Sequence, residues 1–173
     1  MEFNVAQLEK GPVGTVREYE IDEVPEDIPD VDWAGPCRGK VKVVRTGRGA
    51  LVRARLQCQI RTSCVRCLED FIQTVDVRFE EEYLTTLNIL TGLPVALAEE
   101  DEGSFVIDEK HTLDLREAIR QYALLAQPMQ PICRPDCQGI CPGCGAELNH
   151  EACRCVAEAV TQLSELSQVA KGA

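Results

Sequence analysis

Ten of the 173 residues are cysteines, and six of them fall within one short stretch, Cys133-Arg-Pro-Asp-Cys137-Gln-Gly-Ile-Cys141-Pro-Gly-Cys144-Gly followed by Cys153-Arg-Cys155. A two-residue gap lets two thiolates reach one ion, and the glycine after Cys144 permits the left-handed turn that aims backbone N–H groups at the sulfurs. Cys141 and Cys144 are therefore expected to be metal ligands. A closed tetrahedral site needs two more, from Cys133 and Cys137 upstream or Cys153 and Cys155 downstream, and the spacing alone does not choose. Zn2+ is the expected ion, about one per chain, because thiolate-rich tetrahedral sites suit it. An iron–sulfur cluster also takes four cysteines, His150 can replace a thiolate, and buried cysteines also occur simply as packed thiols.

A second pair, Cys64-Val-Arg-Cys67, follows a basic strand. It can be half of a metal site completed by spare C-terminal cysteines, two structural thiols at a strand turn, or a redox dithiol. The βαβ setting of a thioredoxin-like motif is missing here. Cys37 and Cys58 are taken as non-ligands, Cys58 on the buried face of its strand.

The first residues carry neither the basic end nor the apolar stretch of a signal peptide, and no run approaches the roughly 18 apolar residues of a membrane span. The expected location is cytoplasmic, where thiols stay reduced and clustered pairs more often hold metal than form disulfides. No phosphate-cradling glycine loop, nucleophile elbow or His-Glu-x-x-His motif is present, so the chain is expected not to be an enzyme and to take no small-molecule substrate.

A net charge of −11 argues on its face against a nucleic-acid partner, but the charge is segregated. Nine of the 18 basic residues lie between residues 38 and 68, a stretch with no Asp or Glu, while Glu18 to Asp32, Glu80 to Glu82 and Glu99 to Glu102 are acidic. Lys40, Lys42, Arg45, Arg48, Arg53, Arg55 and Arg61 are the candidate RNA contacts, with pairing to the chain's own acids as the competing reading.

These residues need elements to hold them. Phe3 to Leu8 and Thr15 to Ile21 read as strands around the Lys10-Gly-Pro-Val-Gly14 turn, and Glu23 to Pro36 as an exposed acidic linker. A strand from Gly39 turns at Thr46-Gly-Arg-Gly49 into one whose Val52, Ala54, Leu56, Cys58 and Ile60 face the core and whose Arg53, Arg55, Gln57, Gln59 and Arg61 face away. Phe71 to Phe79 alternates likewise. Residues 84 to 104 read as a long loop. Leu115, Ala118, Ile119, Tyr122 and Leu125 then share a helical face, with Asp114 and Glu117 at capping-box spacing and Pro128 and Pro131 beyond the end. Val156 to Val169 is expected to be a second helix. The fold class is α+β: an antiparallel β meander or partly open barrel, then a helix and a C-terminal Cys-rich zinc knuckle. The expected division is a mainly β domain over 1–110 and a helical, Cys-rich one over 111–173.

With these motifs in place the chain resembles the YceD family, the large ribosomal RNA subunit accumulation proteins. The likeness rests on Asn4-Val-Ala-Gln-Leu8, Gly11-Pro-Val-Gly14 and Arg17-Glu-Tyr-Glu20, on Cys64-Val-Arg-Cys67-Leu-Glu, on Ile107-Asp108 and Leu113-Asp-Leu115, and on Pro128-Met-Gln-Pro-Ile-Cys133. Cys137-Gln-Gly-Ile-Cys141-Pro-Gly-Cys144-Gly-Ala-Glu-Leu-Asn149 is the specific part. The family often ends in Asp-Pro-Arg and a leucine-rich helix, from which Leu163-Ser-Glu-Leu-Ser-Gln-Val-Ala departs. The resemblance implies a bacterial, non-enzymatic ribosome-biogenesis factor supporting synthesis, processing or stability of 23S rRNA. Its partner would be ribosomal RNA or a large-subunit ribosomal protein, the latter held by the acidic surface in an alternative reading.

Overall fold

The structure is a computed structural model that describes residues 1–25 and 28–155. The expected helix from Val156 to Val169 lies outside the described residues. The chain divides into two compact units: Met1–Arg61 with Ile72–Pro128, and Thr62–Phe71 with Met129–Ala173. The expected boundary near residue 110 falls inside the first of these.

In the first unit, β1 (Glu2–Asn4) leads into a one-turn helix α1 (Ala6–Glu9), where the sequence reads as a single strand through Leu8. Asn4 decides this, because its side-chain oxygen accepts from the Ala6 N–H and caps a turn in place of strand pairing. The meander follows as expected through β2 (Val16–Glu23), β3 (Cys37–Arg45), β4 (Gly49–Ser63) and β5 (Asp70–Thr85). On β4 the core-facing set is buried and the polar set exposed, residue for residue. The linker before β3 is less exposed than its composition suggests, since Ile28 and Val31 join the core and the Trp33 indole N–H donates to the Ile28 carbonyl at 3.0 Å.

Two short strands complete the sheet, β6 (Val106–Ile107) and β7 (Thr112–Asp114). The sheet order is β1-β7-β6-β5-β4-β3-β2, with β6 parallel to β5, so it is mixed and not wholly antiparallel. A parallel neighbour requires a crossover connection of a dozen or more residues. This accounts for the long loop after Thr85. The edge strands β1 and β2 do not hydrogen-bond to each other, yet the rings of Phe3 and Tyr19 meet at a centroid distance of 4.5 Å. The sheet is thus curled into a partly open barrel, and the fold is α+β.

Helix α2 (Arg116–Ala126) buries Ala118, Ile119 and Ala123 in the core, and Tyr122 stacks on Phe79 at 5.1 Å. Leu125, expected on the buried face, is 77% exposed. The capping box does not form: Asp114 accepts from the Arg116 N–H, but Glu117 turns to Arg120 and Gln121. Glu9 is the one buried charged residue among those described, held by the Thr85 hydroxyl at 2.8 Å and His111 Nδ1 at 2.6 Å. Among the described residues no helix is long and apolar enough to cross a membrane.

Candidate metal centres

The second unit gathers the tip of the β4–β5 hairpin and the C-terminal cysteine segment. Its eight thiols form two sets of four: Cys64, Cys67, Cys133 and Cys137, and Cys141, Cys144, Cys153 and Cys155. Within each set all four sulfurs lie within 4.8 Å of one another, so each can hold a metal ion. The downstream pair is the one that joins Cys141 and Cys144. Cys133 and Cys137 complete the other set with Cys64 and Cys67. Of the alternatives for Cys64 and Cys67, the one the fold assembles is half of a four-thiol site.

Both sets are built on the same turn. In the first, the Leu68 N–H donates to the Cys64 carbonyl at 2.8 Å and the Cys64 N–H to the Glu69 carbonyl at 2.9 Å. In the second, the Gly145 N–H donates to the Cys141 carbonyl at 2.9 Å and the Cys141 N–H to the Ala146 carbonyl at 2.8 Å. The residue after the second cysteine is left-handed in each, Leu68 at φ 62° and Gly145 at φ 74°. Gly143 has a separate reason to be glycine: a Cβ there would stand 2.8 Å from the Cys155 sulfur.

The sulfur spacings fit a single small ion. A tetrahedron with zinc–sulfur bonds of about 2.3 Å has sulfur–sulfur edges of about 3.8 Å. Cys64 and Cys137 are 3.8 Å apart, Cys67 and Cys133 3.7 Å, Cys141 and Cys155 3.9 Å, Cys144 and Cys153 3.8 Å, and Cys141 and Cys153 3.3 Å. A cluster of several irons would hold its thiolates farther apart. The Asn149 amide donates to the Cys137 sulfur at 3.4 Å while its carbonyl oxygen accepts from Arg134 and the Gln138 N–H, an outer hydrogen bond of the kind that orients metal ligands. His150 is exposed and pairs with Glu69 and Glu147 at 3.3 Å, outside both sulfur sets.

Each set mixes sulfurs held toward the thiolate, Cys64 in the first and Cys141 and Cys144 in the second, with sulfurs held toward the thiol, Cys67 and Cys133 in the first and Cys153 and Cys155 in the second. Burial opposes the Cys64 thiolate, but the backbone N–H groups of Cys133, Cys67 and Arg66 outweigh it and hold that thiol down at about 6. Cys67 has a backbone N–H from Glu69, yet burial and the adjoining sulfurs push it up to about 12. In the second set the Ala146 and Arg154 N–H groups hold Cys144 down at about 6, and the sulfurs of Cys144 and Cys153 push Cys155 up to about 12. A metal binding either set displaces protons from the reluctant thiols.

Cys37 and Cys58 stay outside both sets, but the expectation of reduced thiols does not hold for this pair. The β3–β4 register sets Arg38 against Gln57, which puts Cys37 opposite Cys58 on the core face, and the two form a disulfide. A cavity of about 300 Å3 in the first unit is lined by Glu9, Arg45, Thr85, Asn88, Leu90 and Val95. Its buried carboxylate, Glu9, is already engaged by His111 and Thr85.

The candidate RNA contacts are distributed over β3, β4 and the turn between them. Glu20 pairs with Lys40, Glu18 with Lys42, Glu80 with Arg53, and Asp101 with Arg48. Arg45 Nη1 donates to the Thr46 and Gly49 carbonyls. The side chains of Arg55 and Arg61 have no partner among the described residues.

Residues 52–170 match the description of the family named Large ribosomal RNA subunit accumulation protein YceD. The chain belongs to the YceD family. That description ties the YceD family to the RNA of the large ribosomal subunit and so to ribosome biogenesis, and both sulfur sets lie within the matched residues. An uncharacterized protein of Mycobacterium tuberculosis is 33% identical over 111 residues, 64% of this chain and 51% of its own length. One from Mycobacterium leprae is 30% identical over 122 residues, 68% and 52% respectively. The chain spans about half the length of the curated relatives it matches. No solved structure matches it.

Proposed function

We propose that the chain is a non-enzymatic bacterial ribosome-biogenesis factor, cytoplasmic, that supports synthesis, processing or stability of 23S rRNA and contacts RNA through its basic strand face. Its Cys-rich unit is held by two zinc ions. The observation that carries the reading is the pair of four-thiolate sets inside the stretch that defines family membership. All-thiolate tetrahedral sites favour zinc, and with no open position they are structural, not catalytic. Zinc supplies the ordering energy of a unit too small to build a large core of its own.

The test is genetic and biochemical. Depleting the protein should lower mature 23S rRNA relative to 16S rRNA, and the wild-type gene should restore it while a Cys64→Ser/Cys141→Ser gene should not. Unchanged 23S rRNA on depletion would remove the reading.

A second reading, a module that holds a basic ribosomal protein, is favoured by one feature. Leu90, Leu93, Val95 and Leu97 are exposed in the loop leading to exposed Glu99, Glu100 and Glu102. Co-purification of a basic large-subunit protein, lost on Leu93→Ser, would support it.

A further inference from the structure

The solvent face of the sheet is neutralised almost residue by residue. Arg38 pairs with Asp22, Lys40 with Glu20, Lys42 with Glu18, Arg53 with Glu80 and Arg78 with Asp76. Arg55 is left over between these pairs: it is exposed and has no side-chain partner among the described residues. Its position makes that more pointed. The β3–β4 register puts Lys40 directly opposite it on β3. On β5, the contacts of Arg53 with Glu80 and Gln57 with Asp76 place Arg78 opposite it on the other side.

Of the two neighbouring rows one is neutral and the other is net negative. Glu18, Lys42, Arg53 and Glu80 make one, and Asp22, Arg38, Gln57 and Asp76 the other. The middle row, Glu20, Lys40, Arg55 and Arg78, carries three cations against one anion. Lys40 leans on Glu20 and Arg78 on Asp76 of the adjoining row, and since like charges directly opposite on neighbouring strands repel, the unpaired Arg55 between them is the place where an added anion gains most. With strands about 4.8 Å apart, its cationic heads span about 10 Å. Three shallow depressions of about 280, 360 and 410 Å3 on this face all include Arg55.

We propose that Lys40, Arg55 and Arg78 form a phosphate-binding row that grips the backbone of a single RNA strand, with Arg55 at its centre. This rests on the RNA reading above and narrows it: of the seven basic residues singled out in the sequence, Lys40 and Arg55 belong to the row, and Arg78, outside the acid-free stretch, joins them. Two guanidinium forks suit phosphate oxygens, which accept bidentate pairs. The flanking rows, one neutral and one net negative, confine the contact to about three phosphates, for which the logarithm of affinity should fall with the logarithm of salt at a slope of about −2.

The test measures binding of a labelled single-stranded RNA to the zinc-loaded full chain across a salt series. Arg55→Gln and Arg78→Gln should each weaken binding on the order of tenfold and flatten the slope by about 0.7. Arg38→Gln, outside the seven candidate contacts and already paired with Asp22, should change affinity less than twofold, with all three variants keeping the wild-type fold by circular dichroism. If wild type binds RNA and Arg55→Gln binds equally well, the row is refuted while the RNA reading survives. If wild type binds no RNA, both fall. Equal competition by polyglutamate would refute phosphate recognition.

Discussion

The two cysteine turns share a backbone and differ in almost everything around it. Both place a left-handed residue after the second cysteine and close the same pair of hydrogen bonds, yet Cys64, Cys67 and Cys137 are buried while Cys144 is exposed and Cys153 and Cys155 are half-buried. The first set draws its thiols from residues far apart in the chain, the second from a single short segment. One is therefore a long-range staple, closing a loop of some 70 residues, and the other a local clip. Closing the longer loop removes more freedom from the unfolded chain, so the first ion should contribute more to stability than the second.

Removing one thiol from each set is the strongest way to break this comparison. Cys64→Ser should release one of two zinc ions and lower the melting temperature on the order of 10 °C. Cys144→Ser should release the other with a shift of only about 3 °C. Calorimetry with metal analysis on both variants checks the ranking, and equal shifts would cancel the distinction.

Gly143→Ala comes next, because its Cβ would meet the Cys155 sulfur at 2.8 Å. Competition with a chromophoric chelator should show the second site weakened by more than about tenfold and the first unchanged. Asn149→Ala inverts that pattern: loss of the amide hydrogen bond to Cys137 should weaken the first site by roughly tenfold. The smallest effect is expected from Leu68→Gly. It relieves a left-handed leucine at 67% exposure and should stabilise the chain by about 0.5 kcal/mol in urea unfolding, the relief being partly offset by glycine entropy.

The same pair of turns explains what the sequence disclosed. Glycine at position 145 advertises its left-handed turn, so Cys141 and Cys144 are legible as a knuckle from spacing alone. Leu68 occupies the equivalent position without advertising it. Cys64 and Cys67 consequently stay ambiguous until the fold brings Cys133 and Cys137 to them, and one candidate four-thiol site becomes two. The alternating burial of β4 was legible because its one core face writes a two-residue period. The parallel strand β6 was not, since two residues carry no period. Arg78 was not legible because it lies outside the contiguous basic stretch, and the cationic row runs across strands, perpendicular to the chain.

In the proposed function the Cys-rich unit is built around two closed zinc sites. Native mass spectrometry of the purified full chain, paired with elemental analysis, tests it directly. Two zinc ions per chain, falling to one in either the Cys64→Ser or the Cys144→Ser variant, is the predicted result. A folded chain that carries no zinc, or one whose eight thiols hold iron and sulfide, would contradict it.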